Sequence, residues 1–140
     1  MACGAVACLV AVTKDLPGLL VVIAAGDSAL VRASLDAAPA LATARLTRRD
    51  EFFIADCHAQ VYEGATALHA AAFAYDRETA RDLVARGAGV RARDRRGAEP
   101  LHAAVIGEPG APNWNPARQR AVSSTSLRRV PTRMLPPWAA

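Results

Sequence analysis

Apolar residues in this chain recur at helical spacing in short runs separated by turn signals. Leu68, Ala71, Ala72 and Tyr75 fall at i, i+3, i+4 and i+7, which predicts one buried face of a short helix. Asp76 can then cap a second helix, in which Ala80, Leu83 and Val84 form the apolar stripe. Gly87 ends it, because the left-handed residue that closes a helix is most easily glycine. The same order is readable upstream. Leu19 to Ala25 predicts a helix, Gly26-Asp27 a turn, and Ala29 to Ala37 a second helix that turns Val31 and Leu35 inward. Downstream, Leu101 to Ile106 starts another helix and Gly107 to Trp114 is a Gly/Pro-rich loop. Asn115 as cap and Pro116 at the first helical position then open a helix over Ala117 to Val122. The predicted fold class is all-α.

The pattern is also a repeat. Gly64-Ala65-Thr66-Ala67-Leu68-His69-Ala70-Ala71 returns as Gly97-Ala98-Glu99-Pro100-Leu101-His102-Ala103-Ala104, at an offset of 33 residues. Between the copies come Leu83-Val84, Gly87-Ala88, Val90, and Asp94 three residues before Gly97. From Gly64 to about Val105 the chain therefore resembles the ankyrin-repeat family, in its G-x-T-x-L-H-x-A-A, L-V-x-x-G-A-x-V and D-x-x-G elements. The resemblance implies a helix-turn-helix solenoid of the ankyrin type with extended finger loops and an irregular C-terminal tail. It departs from the family pattern at Ala67, where proline is usual, at Tyr75, where glycine joins the helices, and at Gly89, where aspartate is usual. Tyr75 is the costly departure if its site requires a positive φ.

The repeat register organises the rest. Nine residues separate Ala88 from Gly97, whereas 25 separate the matching Pro39 from Gly64, so the first finger carries about 16 extra residues within Leu46 to Tyr62. That insert holds Phe52, Phe53 and Tyr62, a large share of the few aromatics, which are 5% of the chain. The expected organisation is a ragged segment over 1–16, then a repeat domain over 17–122 and an irregular tail over 123–140. Within the domain, 17–63 is a capping repeat with the finger insertion, 64–96 a full repeat and 97–122 an incomplete one. Ser123 to Ala140 has no helical stripe, where an array should read V-x-x-L-L-x-x-G-A-D. The composition, rich in Ala, Arg, Gly and Pro, points to a GC-rich gene. Read one frame over, codons permitted by the tail can encode E-Y-L-x-A-A-G-A-D-P-N from Ser123 onward. A non-functional truncated or frameshifted fragment of a larger array is therefore the alternative to an intact protein. Composition alone also supports a natural, disordered Arg/Pro/Ser tail.

Composition changes this picture only in part. The chain is 52% hydrophobic, much of it alanine, which suits closely packed helices and not a β-sandwich. Formal charge is +4, but Arg118, Arg120, Arg128, Arg129 and Arg133 lie near the C-terminus, and the remainder sums to −1. Because the excess comes from an irregular tail and not a helix face, a nucleic-acid partner is not expected. Cys3, Cys8 and Cys57 form no disulfide framework and no C-x-x-C, which fits a reducing compartment. Met1 to Val12 is apolar but lacks a basic leader and is broken at Thr13-Lys14-Asp15. Neither it nor Leu19 to Ala25 reaches the ~18 apolar residues of a membrane span. The expected location is cytoplasmic, without a membrane partner.

Candidate chemistry is sparse. His69 and His102 stand one repeat apart, and in the ankyrin resemblance that histidine is a structural hydrogen-bonding residue, for which two ring nitrogens are suited. A second alternative, a small metal-dependent enzyme, would use His69, His102 and Cys57 of the Cys57-His58 pair, but no ligand spacing supports it. No catalytic residue, metal or cofactor is expected. The resemblance implies instead a non-catalytic scaffold for an unidentified protein partner. Arg91, Arg93 and Arg95 would share one side of the finger if it alternates, a basic edge suited to an acidic partner. Phe73 and Tyr75, at the end of a first helix, complete the candidate contact set, while Gly64, Thr66, Leu68, His69, Gly87, Gly97, Leu101 and His102 are the structural motif.

Overall fold

A computed structural model describes residues 12–106, 110 and 114–123. The expected ragged start before residue 12, the tail beyond Ser123 and most of the Gly107 to Trp114 loop lie outside the described residues. Within them the chain is mostly helical. The helices are α1 (Leu16–Ala25), α2 (Ser28–Ala37), α3 (Ala67–Phe73), α4 (Arg77–Ala85), α5 (Pro100–Val105) and α6 (Pro116–Ser123).

Three helices begin at a side chain that accepts their first free amides. Asp27 accepts the Leu30 amide at 3.0 Å, Asp76 accepts the Thr79 amide at 3.1 Å, and Asn115 accepts the amides of Ala117 and Arg118 at 2.9 and 3.1 Å. Gly26 closes α1 in the left-handed conformation, φ 83°. Tyr75, between α3 and α4, takes φ 55°. That is the positive φ a glycine would adopt without strain, so the departure from the family pattern falls where the backbone feels it most.

Packing follows the pairs. α3 lies between α1 and α5 and is backed by α4, and α6 packs on both α5 and α4. Ala67, Ala70, Ala71, Ala72, Ala103 and Ala104 are all buried, and their small side chains let the helix backbones approach. Leu19, Leu20, Ile23, Leu35, Leu68 and Leu83 are fully buried and fill the space between pairs. Val31 and Leu35 of α2 and Ala80 and Leu83 of α4 point inward as expected, while Val84 is half-buried. Arg86 ties the second helices together, with Nη2 2.7 Å from Asp36 and Nε 3.1 Å from Asp82.

The all-α expectation needs one correction. The first finger holds an antiparallel hairpin, β1 (Phe52–Ile54) and β2 (Ala59–Val61), pairing Phe52 with Val61, Phe53 with Gln60 and Ile54 with Ala59. A tight turn over Ala55–Cys57 and the left-handed His58, φ 48°, reverse the chain. Alternation buries Ile54, Ala59 and Val61 and leaves Phe53 57% exposed. Two backbone bonds at 2.8 Å, Leu46 N–H to the Ala65 carbonyl and Gly64 N–H to the Leu46 carbonyl, close the base of the insert. The hairpin lies within Leu46 to Tyr62, and its strands alternate buried and more exposed positions across the pleat.

Candidate functional site: the finger edge and the repeat junction

The finger after α4 is shaped from within. Asp94 Oδ1 accepts the amides of Arg96 and Ala98 at 2.9 and 3.0 Å, and the Gly97 amide bonds the Asp94 carbonyl at 2.9 Å. These bonds make the D-x-x-G turn, with Gly97 at φ 82°. The Arg95 amide then donates to the Glu63 carbonyl at 2.7 Å, joining the second finger to the first. Gly64, φ 90°, sits at this seam: a Cβ there would lie 2.9 Å from the Arg93 carbonyl oxygen and 3.1 Å from Asp94 Cα. Gly87, φ 99°, closes α4 as the sequence predicts.

The arginines of this finger divide into two sets. Arg95 forms a two-bond ion pair with Glu51 of the insert, at 2.5 and 3.0 Å, and its guanidinium carbon stands 4.8 Å from the centre of the Tyr62 ring. Arg96 takes the same ring at 5.1 Å and donates to the Tyr62 hydroxyl at 3.0 Å. Glu51 also accepts the Glu63 amide at 2.7 Å, and with Arg95 beside it the carboxyl is held down at about 2. Arg45 of the first finger donates to the Arg93 carbonyl at 2.6 Å and to the Gly64 carbonyl at 3.3 Å. Arg91 and Arg93 are exposed, and among the described residues neither has an ion-pair partner. Arg91, Arg93 and Arg95 are all exposed, but Arg95 is paired with Glu51, so of the three only Arg91 and Arg93 are without an ion-pair partner among the described residues.

The aromatic contact residues also part company. Tyr75 is 4% exposed and donates its hydroxyl to the Ile106 carbonyl at 3.3 Å, so its ring is packed between helix pairs. Phe73 is half-buried against the core and keeps one side toward solvent. Arg45, Glu51, Tyr62 and Asp94 shape the site but were not singled out for it from the sequence. Only Asp94 had a local signal, the D-x-x-G spacing; the partners of Arg45 and Glu51 lie 48 and 44 residues away.

The histidine copies share one geometry and differ in surroundings. The Thr66 amide donates to His69 Nδ1 at 3.1 Å, and Nε2 donates to the Ala98 carbonyl at 2.9 Å. An amide can only donate and a carbonyl only accept, so the proton of the neutral ring sits on Nε2. Burial, the largest effect, pushes the His69 pKa below the ordinary histidine value. The Glu99 amide donates to His102 Nδ1 at 2.9 Å in the same way, but His102 is exposed. Leu68 is fully buried and Leu101 half-buried. Cys57 is buried and its thiol is pushed up to about 11, chiefly by desolvation, which disfavours the thiolate. Among the described residues no group of three or more His, Cys, Asp or Glu is placed to hold a metal ion, and no helix is long and apolar enough to cross a membrane.

Residues 63–95 match the family model described as the ankyrin repeat. No curated protein and no solved structure matches the chain. The matched span begins at the seam between the fingers and runs through α3, α4 and the arginine-bearing finger.

Proposed function

With an ankyrin repeat at residues 63–95 as the premise, we propose that the chain is a non-catalytic scaffold whose fingers and first helices hold a protein partner. The three helix pairs are read as successive turns of a short solenoid: 17–63 with the hairpin insert, 64–96, and 97–122. The observation that carries the reading is the state of the second finger. Its backbone is fixed by Asp94, Arg45 and Glu63, while Arg91 and Arg93 face solvent on it. A rigid backbone with unpaired outward cations suits an acidic protein surface, because little order is lost on contact and opposite charge steers approach. Phe73, half-buried at the end of α3, is read as apolar contact surface on the first helix of that pair. A cytoplasmic setting, with no membrane partner, goes with this reading.

The test is affinity capture followed by measured binding of the captured protein to the purified chain and to an R91E/R93E variant. The scaffold reading expects the double reversal to weaken binding at least tenfold, with an R32E control on the second helix of the first pair unchanged. Equal binding by both variants would remove the finger from the interface.

A second reading is favoured by the last helix pair. His102 repeats the geometry of His69, yet no partner stands at its Nε2 among the described residues, and Val105 and Ile106 are 53% and 56% exposed. Where His69 is covered by the Gly97-Ala98 turn, His102 is open, as in an array that continues. A version carrying the alternative-frame tail from Ser123 would then melt at a higher temperature than the 140-residue chain. An unchanged midpoint would count against it.

A further inference from the structure

We infer that copies of this chain associate head to tail, the exposed end of α5 in one copy seating on the exposed face of α1 in the next. Only the two ends of the row of first helices take part, so the association does not depend on what the fingers bind. α3 lies between α1 and α5 and shows what a first helix looks like when both its sides are covered. Gly26 and Tyr75 both take positive φ, and each is followed by a capping aspartate, Asp27 or Asp76, which sets α1 and α3 in register. In that register Val21 and Ile23 of α1 match Ala70 and Ala72 of α3, and the repeat of 33 residues carries these on to Ala103 and Val105 of α5. The first position is 48% exposed in α1 but 0% and 2% exposed in α3 and α5, so its cover comes from the preceding pair. The second is 0%, 0% and 53% exposed, so its cover comes from the following pair.

Neighbouring positions repeat the result. On α1, Gly18, Val21, Val22 and Ala25 fall at i, i+3, i+4 and i+7 and are exposed or half-exposed, whereas the matching alanines of α3 are all buried. α1 carries no polar side chain on any face, and a helix of that kind is ordinarily enclosed. On the following side Leu20, His69 and His102 match; the first two are buried and His102 is exposed, as Val105 is. A following-side face mates with a preceding-side face twice within the chain, and the ends leave one of each open. A second copy therefore supplies the missing half at either end. Such a contact is heterologous and adds copies in a row. Between separate molecules it also costs the freedom lost on association, which neighbours in one chain do not lose, so it is weak and concentration-dependent.

Sedimentation velocity on the full chain tests this, from about 1 μM to about 1 mM. The average mass should climb with concentration, and in NMR spectra over the same range the amides of Val21, Val22, Val105 and Ile106 should shift together. Blocking one end at a time gives the direction. V21K keeps a native α5 end and V105K a native α1 face, so each alone should associate at least about tenfold more weakly than the native chain. Mixed, they should form a dimer of one V21K and one V105K chain and nothing larger. Both positions face water, so the folds should survive; if either variant fails to fold, the shifts in the native chain decide alone. A mass fixed at one chain across the range would mean that another protein, or another part of this chain, covers these faces, and would overturn the proposal. So would shifts confined to one end, or a single variant that dimerises by itself as strongly as the native chain associates, since that contact pairs like ends about a twofold axis.

Discussion

Two glycines at the same motif position show how neighbours set the cost of a side chain. Gly64 and Gly97 both have positive φ, 90° and 82°. A Cβ at Gly97 meets nothing within 4 Å, whereas at Gly64 it would press on the Arg93 carbonyl and the Asp94 backbone. Gly97→Ala should therefore cost only the conformational penalty, about 1 kcal/mol, and Gly64→Ala at least about twice that, because two backbones must also separate. Urea denaturation of the two variants checks this; equal losses would mean that the seam between the fingers yields freely. Tyr75 carries the related lesson. Its departure from a glycine position was legible in the sequence, while its cost hung on a positive φ that the structure supplies at 55°. Its hydroxyl bond to Ile106 was not legible, because a residue 31 positions away leaves no local mark.

The elements divide in the same way. Helices α3 and α4 could be read from periodicity, a capping aspartate and a closing glycine, because each is decided within a few residues. The repeat register pointed to extra residues within Leu46 to Tyr62. The hairpin there was not legible, since three-residue strands give too short a pattern. Nor was the Glu51–Arg95 pair, which removes one arginine from the anticipated basic edge, since its partners lie 44 residues apart. Glu51→Gln should leave α3 and α4 intact but raise amide exchange at Glu63 and along β1 and β2, because the carboxylate anchors both the Glu63 amide and Arg95. The carboxyl is held down at about 2, so the anchor is at full strength above the ordinary carboxylate range and is lost only as pH falls below it toward that value. Exchange in the hairpin that ignores the substitution would show that buried Ile54 and Val61 hold the insert without the ion pair.

For the molecule as a whole, the exposed apolar side chains matter. Val21 of α1 is 48% exposed, and Val105 and Ile106, at the end of α5, are more than half exposed. Replacing both with lysine (V105K/I106K) should reduce binding of the apolar dye ANS and shift the melting midpoint little, because side chains already in water contribute little to the core. A marked loss of stability would show that these residues are covered in solution, and would favour the continued array.

The two links across the α3–α4 pair, Glu51 to Arg95 and Arg45 to the Arg93 carbonyl, also bear on kinetics. In a plain stack of repeats each contact joins near neighbours, so folding can begin anywhere and spread. Here contacts spanning 44 and 48 residues close a loop that contains α3 and α4. They raise the contact order and require a long loop to be ordered before either bond forms. The α3–α4 pair should form locally and early, and these two bonds only once both flanking segments are ordered, so the surface they hold should be the last part of the molecule to mature.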